Sequence, residues 1–214
     1  MWIFSSFLSL LADNLILTRA LGTSTLMAAS KNRSNLVILS LMMTLFSVLG
    51  SVVTALLYRF IPQLANLMIF PVSVFQPLLY AAVISAVYIL VLLILYLIGG
   101  EKSASIRKYV HLSAFNCAVM GTLYLCFTPD QFTRDAVMPA EFLGLQFYFD
   151  DRLSPLRALL FGLQTGLGFL LASLMLLAVR KRLYSEEVPA AFRGFPAVLV
   201  YIGLISMAVH AIAV

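Results

Sequence analysis

Residues Leu78–Ile98 read LLYAAVISAVYILVLLILYLI, and this stretch contains no charged side chain. An α-helix needs roughly 20 predominantly apolar residues to cross a hydrocarbon core about 30 Å thick. The stretch meets that length without a polar interruption that would break a helix. It therefore predicts a transmembrane helix and indicates that the chain is an integral membrane protein.

Similar apolar stretches occur on both sides of it. Of the 214 residues, 62% are hydrophobic and 11% are charged, against roughly 25% charged in an average soluble domain. A soluble protein of this length needs a charged surface that this chain cannot supply. We therefore predict an all-α membrane protein, one transmembrane domain over residues 1–214 with about six helices. The predicted spans are Phe4–Ala29, Leu36–Tyr58, Leu78–Ile98, Val110–Phe127, Pro155–Val179 and Phe195–Val214.

Two of the connecting segments are long. The segment IPQLANLMIFPVSVFQP, between the second and third spans, contains three prolines and is typical of an interfacial or re-entrant stretch. The segment from Thr128 to Ser154 is rich in aspartate and aromatic residues. It predicts a small exposed cap outside the bilayer.

Lysine and arginine residues indicate the orientation. Nine of the 14 fall on one side of the predicted spans and four on the other, while Arg19 lies within the first span. Because basic residues concentrate on the cytoplasmic side, we expect both termini and the 128–154 loop outside. A nucleic-acid partner is not expected, since no soluble basic face exists. The nine are Lys31, Arg33, Lys102, Arg107, Lys108, Arg180, Lys181, Arg182 and Arg193.

Six spans divide into two halves of three, residues 1–100 and 101–214. An odd number of spans inverts the second half relative to the first, which is the topology of an inverted repeat. The first and fourth helices lead the two halves, and their polar residues predict that both are broken. Asp13 and Arg19 in the first span are intramembrane charges, which cost several kcal/mol. A functional role, packing and snorkelling to the interface remain open for both.

The later spans carry two further patterns. His111 is expected at the start of the fourth span, as an interfacial side chain rather than a ligand. Gly162 and Gly166 form a GxxxG pair in the fifth span, which predicts close packing on a neighbouring helix.

Several short strings resemble the Rnf/Nqr family of membrane subunits. The fourth span contains NCAVMG (Asn116 to Gly121), and the fifth span and its exit read FGLQTGLGF…AVRKRL…VPAAFRG. The first span reads DNLILTRALG…MAASK. Together they make the chain similar to RnfA of the Rnf complex and to its relative NqrE, over nearly the whole chain except the longer 128–154 loop.

The resemblance implies an integral subunit of an ion-translocating oxidoreductase complex in a bacterial or archaeal cytoplasmic membrane. Such a complex relays electrons between ferredoxin- and NAD-linked subunits and couples this transfer to Na⁺ or H⁺ transport. It implies an RnfE-like partner of opposite orientation, other Rnf/Nqr-type subunits, and a [2Fe–2S] cluster shared at the interface. Cys117 matches the family's fourth-span cysteine, whereas Ser24 stands where the family has its first-span cysteine. Flavin and nucleotide sites are expected in other subunits.

The chain's two cysteines limit what it can bind alone. A [2Fe–2S] cluster is held by four soft ligands, so any cluster must be shared with another subunit. Cys126 follows Cys117 by nine residues, which on one helix places it about 13.5 Å further along and on the opposite face. Both sulfurs therefore reach one cluster only if the helix breaks between them, for example at Gly121. As an alternative, both cysteines are small buried hydrophobic side chains.

The chain contains no complete active site of its own, and two further hypotheses remain open. One is a small inverted-repeat secondary transporter, with Asp13, Arg19 and the broken helices as its binding site. The other is a cluster-free scaffold subunit of an Rnf/Nqr-type complex.

Overall fold

The computed structural model describes residues 15–61, 75–98, 103–127, 140–142, 145–147 and 155–213. Asp13, the proline-rich residues 62–74 and most of the 128–154 loop lie outside the described residues. The elements within them, in chain order, are α1 (Leu15–Arg19), α2 (Thr23–Ala29), α3 (Arg33–Phe60), α4 (Phe75–Ile98), α5 (Ser103–Ala114), α6 (Cys117–Phe127), β1 (Ala140–Phe142), β2 (Leu145–Phe147), α7 (Pro155–Leu183) and α8 (Phe195–Ala213).

Several of these helices have the length and composition of membrane spans. In the described ranges α3, α4 and α7 are each long and apolar enough to cross a bilayer, and the bent pair α5–α6 makes a fourth span if counted as one. They correspond to the second, third, fifth and fourth predicted spans. The apolar part of α8, Phe195–Val209, is shorter. The chain is thus a multi-pass membrane protein, and the total of six spans stays a prediction.

The fourth predicted span starts earlier than expected. Hydropathy places its start at Val110, whereas α5 begins at Ser103 and α6 continues after a bend of 44°. Most of α5 escapes a hydropathy prediction because its first two turns are polar and basic. His111 consequently lies in the last turn of α5, so its predicted place at a helix start was wrong.

The most extensive helix contact in the described residues joins α3 and α7. A Cβ atom added at Gly162 would lie 2.7 Å from Val48 Cα, and one at Gly166 would lie 2.6 Å from Thr44 Cβ. Gly166 lies one turn after Gly162 on α7, whereas its contact Thr44 lies one turn before Val48 on α3. The two helices are therefore antiparallel. The predicted close packing of the GxxxG pair is confirmed, and α3 is its neighbour.

The hydrophobic core surrounds this contact. Met43 and Phe46 on α3 are buried together with Phe169 and Leu176 on α7 and Leu123 on α6. Between α6 and α7 the hydroxyl of Thr122 donates to that of Thr165 at 3.3 Å. α3 thus forms the central support against which the broken helices pack.

The ends of α3 and α7 follow from local chemistry. Ile61 caps α3 with φ −122° and ψ 78°, outside the helical region, because the following Pro62 disfavours a helical conformation for its predecessor. α7 begins with Pro155, a favoured first helical residue. It ends with Arg180, Lys181 and Arg182 in its last turn, where positive charge interacts favourably with the helix dipole.

The long loop contains the only strands among the described residues. β1 and β2 pair antiparallel, with Ala140 opposite Phe147 and Phe142 opposite Leu145. The sequence predicts an all-α protein, so this hairpin is an addition to the helical fold.

Candidate cofactor site at two helix breaks

The first helix break lies between α1 and α2. Ala20 has φ +52° and Gly22 has φ +76°, a left-handed conformation that glycine adopts without the Cβ penalty of other residues. The carbonyl of Gly22 accepts hydrogen bonds from Leu26 N–H at 2.9 Å and from the Thr25 hydroxyl at 2.8 Å. Gly22 therefore both turns the chain and starts α2.

The second break lies between α5 and α6, at Phe115 and Asn116. The side-chain Oδ1 of Asn116 accepts the N–H of Ala118 at 3.0 Å, and its carbonyl accepts the N–H of Met120 at 3.1 Å. Asparagine is among the best residues for capping a helix in this way. Cys117 is consequently the first residue of α6.

The two breaks contact each other. The backbone N–H of Gly22 donates to Cys117 Sγ at 3.0 Å. Asn116 Nδ2 donates to the Thr25 hydroxyl and to Met43 Sδ, the latter at 3.4 Å. The approach is close enough that a Cβ at Gly22 would lie 3.1 Å from both Ala118 Cβ and Asn116 Oδ1. The sulfur of Cys117 thus sits where the two interrupted helices meet.

Cys117 and Ser24, the predicted site residues, lie in the first turns of the helices that follow these two breaks. Cys117 is exposed, and Ser24 is exposed in the first turn of α2. The Cα of Ser24 is at most about 7.6 Å from that of Gly22, because consecutive Cα atoms are 3.8 Å apart. Ser24 thus lies two residues from Gly22, whose N–H contacts the Cys117 sulfur.

Cys126 does not share this site. Helix α6 is continuous from Cys117 to Phe127, so Gly121 does not break it between the two cysteines. Cys126 packs against the hydrophobic core, as a small apolar side chain does. Within the described ranges no three His, Cys, Asp or Glu side chains come together.

Two cavities border the breaks. One of about 360 Å³ is lined by Cys117, Asn116 and Phe115, with Ala81 and Ile84 of α4 opposite. A second, of about 400 Å³, is lined by Arg19, Leu21, Tyr80 and Tyr124. Met120 lines both. Cys117 therefore faces a mostly apolar space, in which hydrogen bonds to sulfur act more strongly than in water.

Sequence reasoning missed some of the contacts around the site. Asn116 stood out as a polar residue and as part of the string NCAVMG, Thr25 only as a polar residue in the first span, and Met43 carried no signal at all. The hydroxyl of Tyr88 also lies 2.5 Å from His111 Nδ1. No spacing rule connects residues that are this far apart in the chain.

Comparison with known proteins identifies the family of the chain. The family model described as "Rnf-Nqr subunit, membrane protein" matches residues 3–214. The A subunit of the Na(+)-translocating ferredoxin:NAD(+) oxidoreductase complex of Acetobacterium woodii is 25% identical over 96% of this chain and 93% of its own length. The A subunit of the ion-translocating oxidoreductase complex of Azoarcus sp. (strain BH72) is 26% identical over 97% of this chain and 93% of its own. With a family match over almost its full length, this chain belongs to the Rnf-Nqr family of membrane subunits.

Proposed function

We propose that this chain is the A-type integral subunit of an Rnf-type ion-translocating oxidoreductase complex. In that role it relays electrons between ferredoxin- and NAD-linked subunits, and the transfer is coupled to Na⁺ or H⁺ transport. The family match and the names of the relatives support this assignment.

The proposed relay group is a [2Fe–2S] cluster held in part by Cys117. The observation that carries this proposal is the hydrogen bond from Gly22 N–H to Cys117 Sγ, 3.0 Å long. Backbone N–H donors directed at cysteine sulfur are a recognised feature of iron–sulfur sites. The exposure of Cys117 and the cavity beside it fit a ligand that faces another molecule.

Ser24 is the second proposed ligand from this chain. It lies in the first turn of α2, just after the first break, as Cys117 lies at the start of α6, just after the second. A serine oxygen is a harder ligand than sulfur, so a cluster held by Ser24 would differ in spectrum from one held by thiolates alone.

The remaining ligands are proposed to come from an RnfE-like subunit of opposite orientation. This chain offers two donors where four are needed, and the described residues contain no group of three or more His, Cys, Asp or Glu side chains. In this arrangement the two halves of the chain form an inverted repeat, with one break in the leading helix of each. The complex lies in the cytoplasmic membrane with both termini outside. Flavin and nucleotide chemistry then belongs to other subunits.

The test compares two cysteine variants on one helix. In the purified complex, Cys117→Ala should lower the iron content by about two atoms per complex and remove the corresponding spectral signal. Cys126→Ala is the matched control, since it removes a core thiol from the same helix and should keep both iron and signal. Full iron content in Cys117→Ala would contradict the cluster assignment and favour a cluster-free scaffold role.

A further inference from the structure

Four hydrogen bonds connect the sulfur of Cys117 back to its own helix. Gly22 N–H donates to the sulfur, and the Gly22 carbonyl accepts from the Thr25 hydroxyl. Thr25 in turn accepts from Asn116 Nδ2. Asn116 Oδ1 accepts the N–H of Ala118, the residue after Cys117. We call Gly22, Thr25, Asn116, Cys117 and Ala118 the Cys117 ring.

The side chains of Thr25 and Asn116 in the ring are buried, whereas that of Cys117 is exposed. Thr25 is 1% exposed and Asn116 is 4% exposed. Inside a membrane protein no bulk water replaces a lost hydrogen bond, so such groups have few alternative partners. The Asn116 amide also donates to Met43 Sδ of α3 at 3.4 Å, which fixes the amide against the central helix.

Gly22 itself has no side chain with which to hold its position. Its left-handed φ of +76° allows the backbone to present its N–H to the sulfur. The Thr25 hydroxyl donates to the carbonyl of Gly22, and the N–H of Gly22 contacts the sulfur. Leu26 N–H donates to the same carbonyl at 2.9 Å, so Thr25 is one of two donors that restrict Gly22 and thereby help to place its N–H.

We propose that Thr25 and Asn116 are positioning residues that hold the Gly22 N–H on the sulfur of Cys117. This inference rests on the proposed function, and it adds the way in which the chain sets the redox potential of the group bound there. An N–H hydrogen bond withdraws electron density from a ligating sulfur, which favours the reduced state. Loss of the bond therefore makes the potential more negative.

Substitutions at Thr25 test the redox consequence. The spectral signal that Cys117→Ala removes is titrated in the purified complex. Thr25→Val keeps the side-chain volume and loses the hydroxyl, so its midpoint should move by about 59 mV to more negative potential, a tenfold change for one electron. Thr25→Ser keeps the hydroxyl and should keep the wild-type potential.

Thr54→Val is the matched control. Thr54 is as buried as Thr25, but its hydroxyl donates to Gly50 O of its own helix at 2.7 Å. Its loss should leave the potential unchanged. A wild-type midpoint in Thr25→Val, or an equal shift in Thr54→Val, would overturn the redox role of the ring.

Amide hydrogen exchange gives a second readout that does not depend on a bound cluster. In the purified complex, exchange at Gly22 should be at least about tenfold faster in Thr25→Val, Asn116→Ala and Cys117→Ala. It should stay slow in Thr25→Ser and Thr54→Val. Wild-type exchange at Gly22 in Thr25→Val and Asn116→Ala would refute the positioning role. If the wild type and Cys117→Ala gave the same spectrum, the proposed function would be refuted instead.

Discussion

The backbone N–H of Gly22 and the sulfur of Cys117 lie 3.0 Å apart, although 95 positions separate the two residues in the chain. Each belongs to the break in a different helix, and each break lies in a different half of the sequence. The contact therefore joins the two halves at the point where their regular structure is interrupted. We expect variants of this junction to differ in their effects from variants of the contact between α3 and α7.

Gly22→Ala should disturb the junction. A residue with a side chain in the left-handed region costs about 1–2 kcal/mol, and the new Cβ would lie 3.1 Å from Ala118 Cβ. We expect a lower thermal stability of the purified complex and loss of the Cys117-dependent signal. Gly203→Ala is the control, because its Cβ meets nothing within 4 Å. Equal behaviour of both variants would show that the backbone at Gly22 is not constrained.

Gly162→Ala should separate α3 from α7. The added Cβ would lie 2.7 Å from Val48 Cα and 2.8 Å from Val48 N, and backbone cannot move aside as a flexible side chain can. Overpacking of this kind costs about 1–3 kcal/mol, measured as a lower melting temperature in detergent. Gly50→Ala adds the same methyl group to a buried helical position, where it would lie 3.5 Å from Leu123 Cδ2. That variant should melt close to the wild type, and a similar loss in both would argue against a specific contact at Gly162.

Ser24→Cys should restore a thiol at the proposed ligand position. If Ser24 faces the bound cluster, the substitution replaces an oxygen ligand by sulfur and changes the absorption and electron paramagnetic resonance spectra. Thr23→Cys is the control one residue earlier, which points about 100° away around the helix axis. A spectral change in Thr23→Cys but not in Ser24→Cys would show that Ser24 is not the ligand.

The topology prediction concerns the loop after α7. Arg180, Lys181 and Arg182 end that helix, and Arg193 in the following loop donates to the carbonyls of Glu186 and Val188. We expect reporter fusions within residues 184–194 to read cytoplasmic and fusions after Val214 to read outside. The reverse pattern would invert the assigned orientation.

Hydropathy predicted α3, α4 and α7 well because each contains one long apolar run that charged residues, proline or glycine delimit. Hydropathy missed the first part of α5, because the charged side chains of Arg107 and Lys108 lower the hydropathy of its first turns. The helix nevertheless runs from Ser103 to Ala114. Cys117 was identified through a family string, and its spacing from Cys126 correctly separated the two. The contact of Gly22 with Cys117, and those of Thr25 and Met43 with Asn116, were beyond sequence reasoning. They form only through the tertiary packing of α2, α3 and α6.

The contact of Gly162 and Gly166 with α3 also has a consequence for biosynthesis. α3 enters the membrane early in translation, whereas α7 follows more than ninety residues later in the sequence. During that interval the surface of α3 around Thr44 and Val48 lacks the helix α7 that covers it in the folded chain. A nascent chain stopped before α7 should therefore be a preferred substrate for membrane quality-control proteases, and completion of α7 should end that susceptibility.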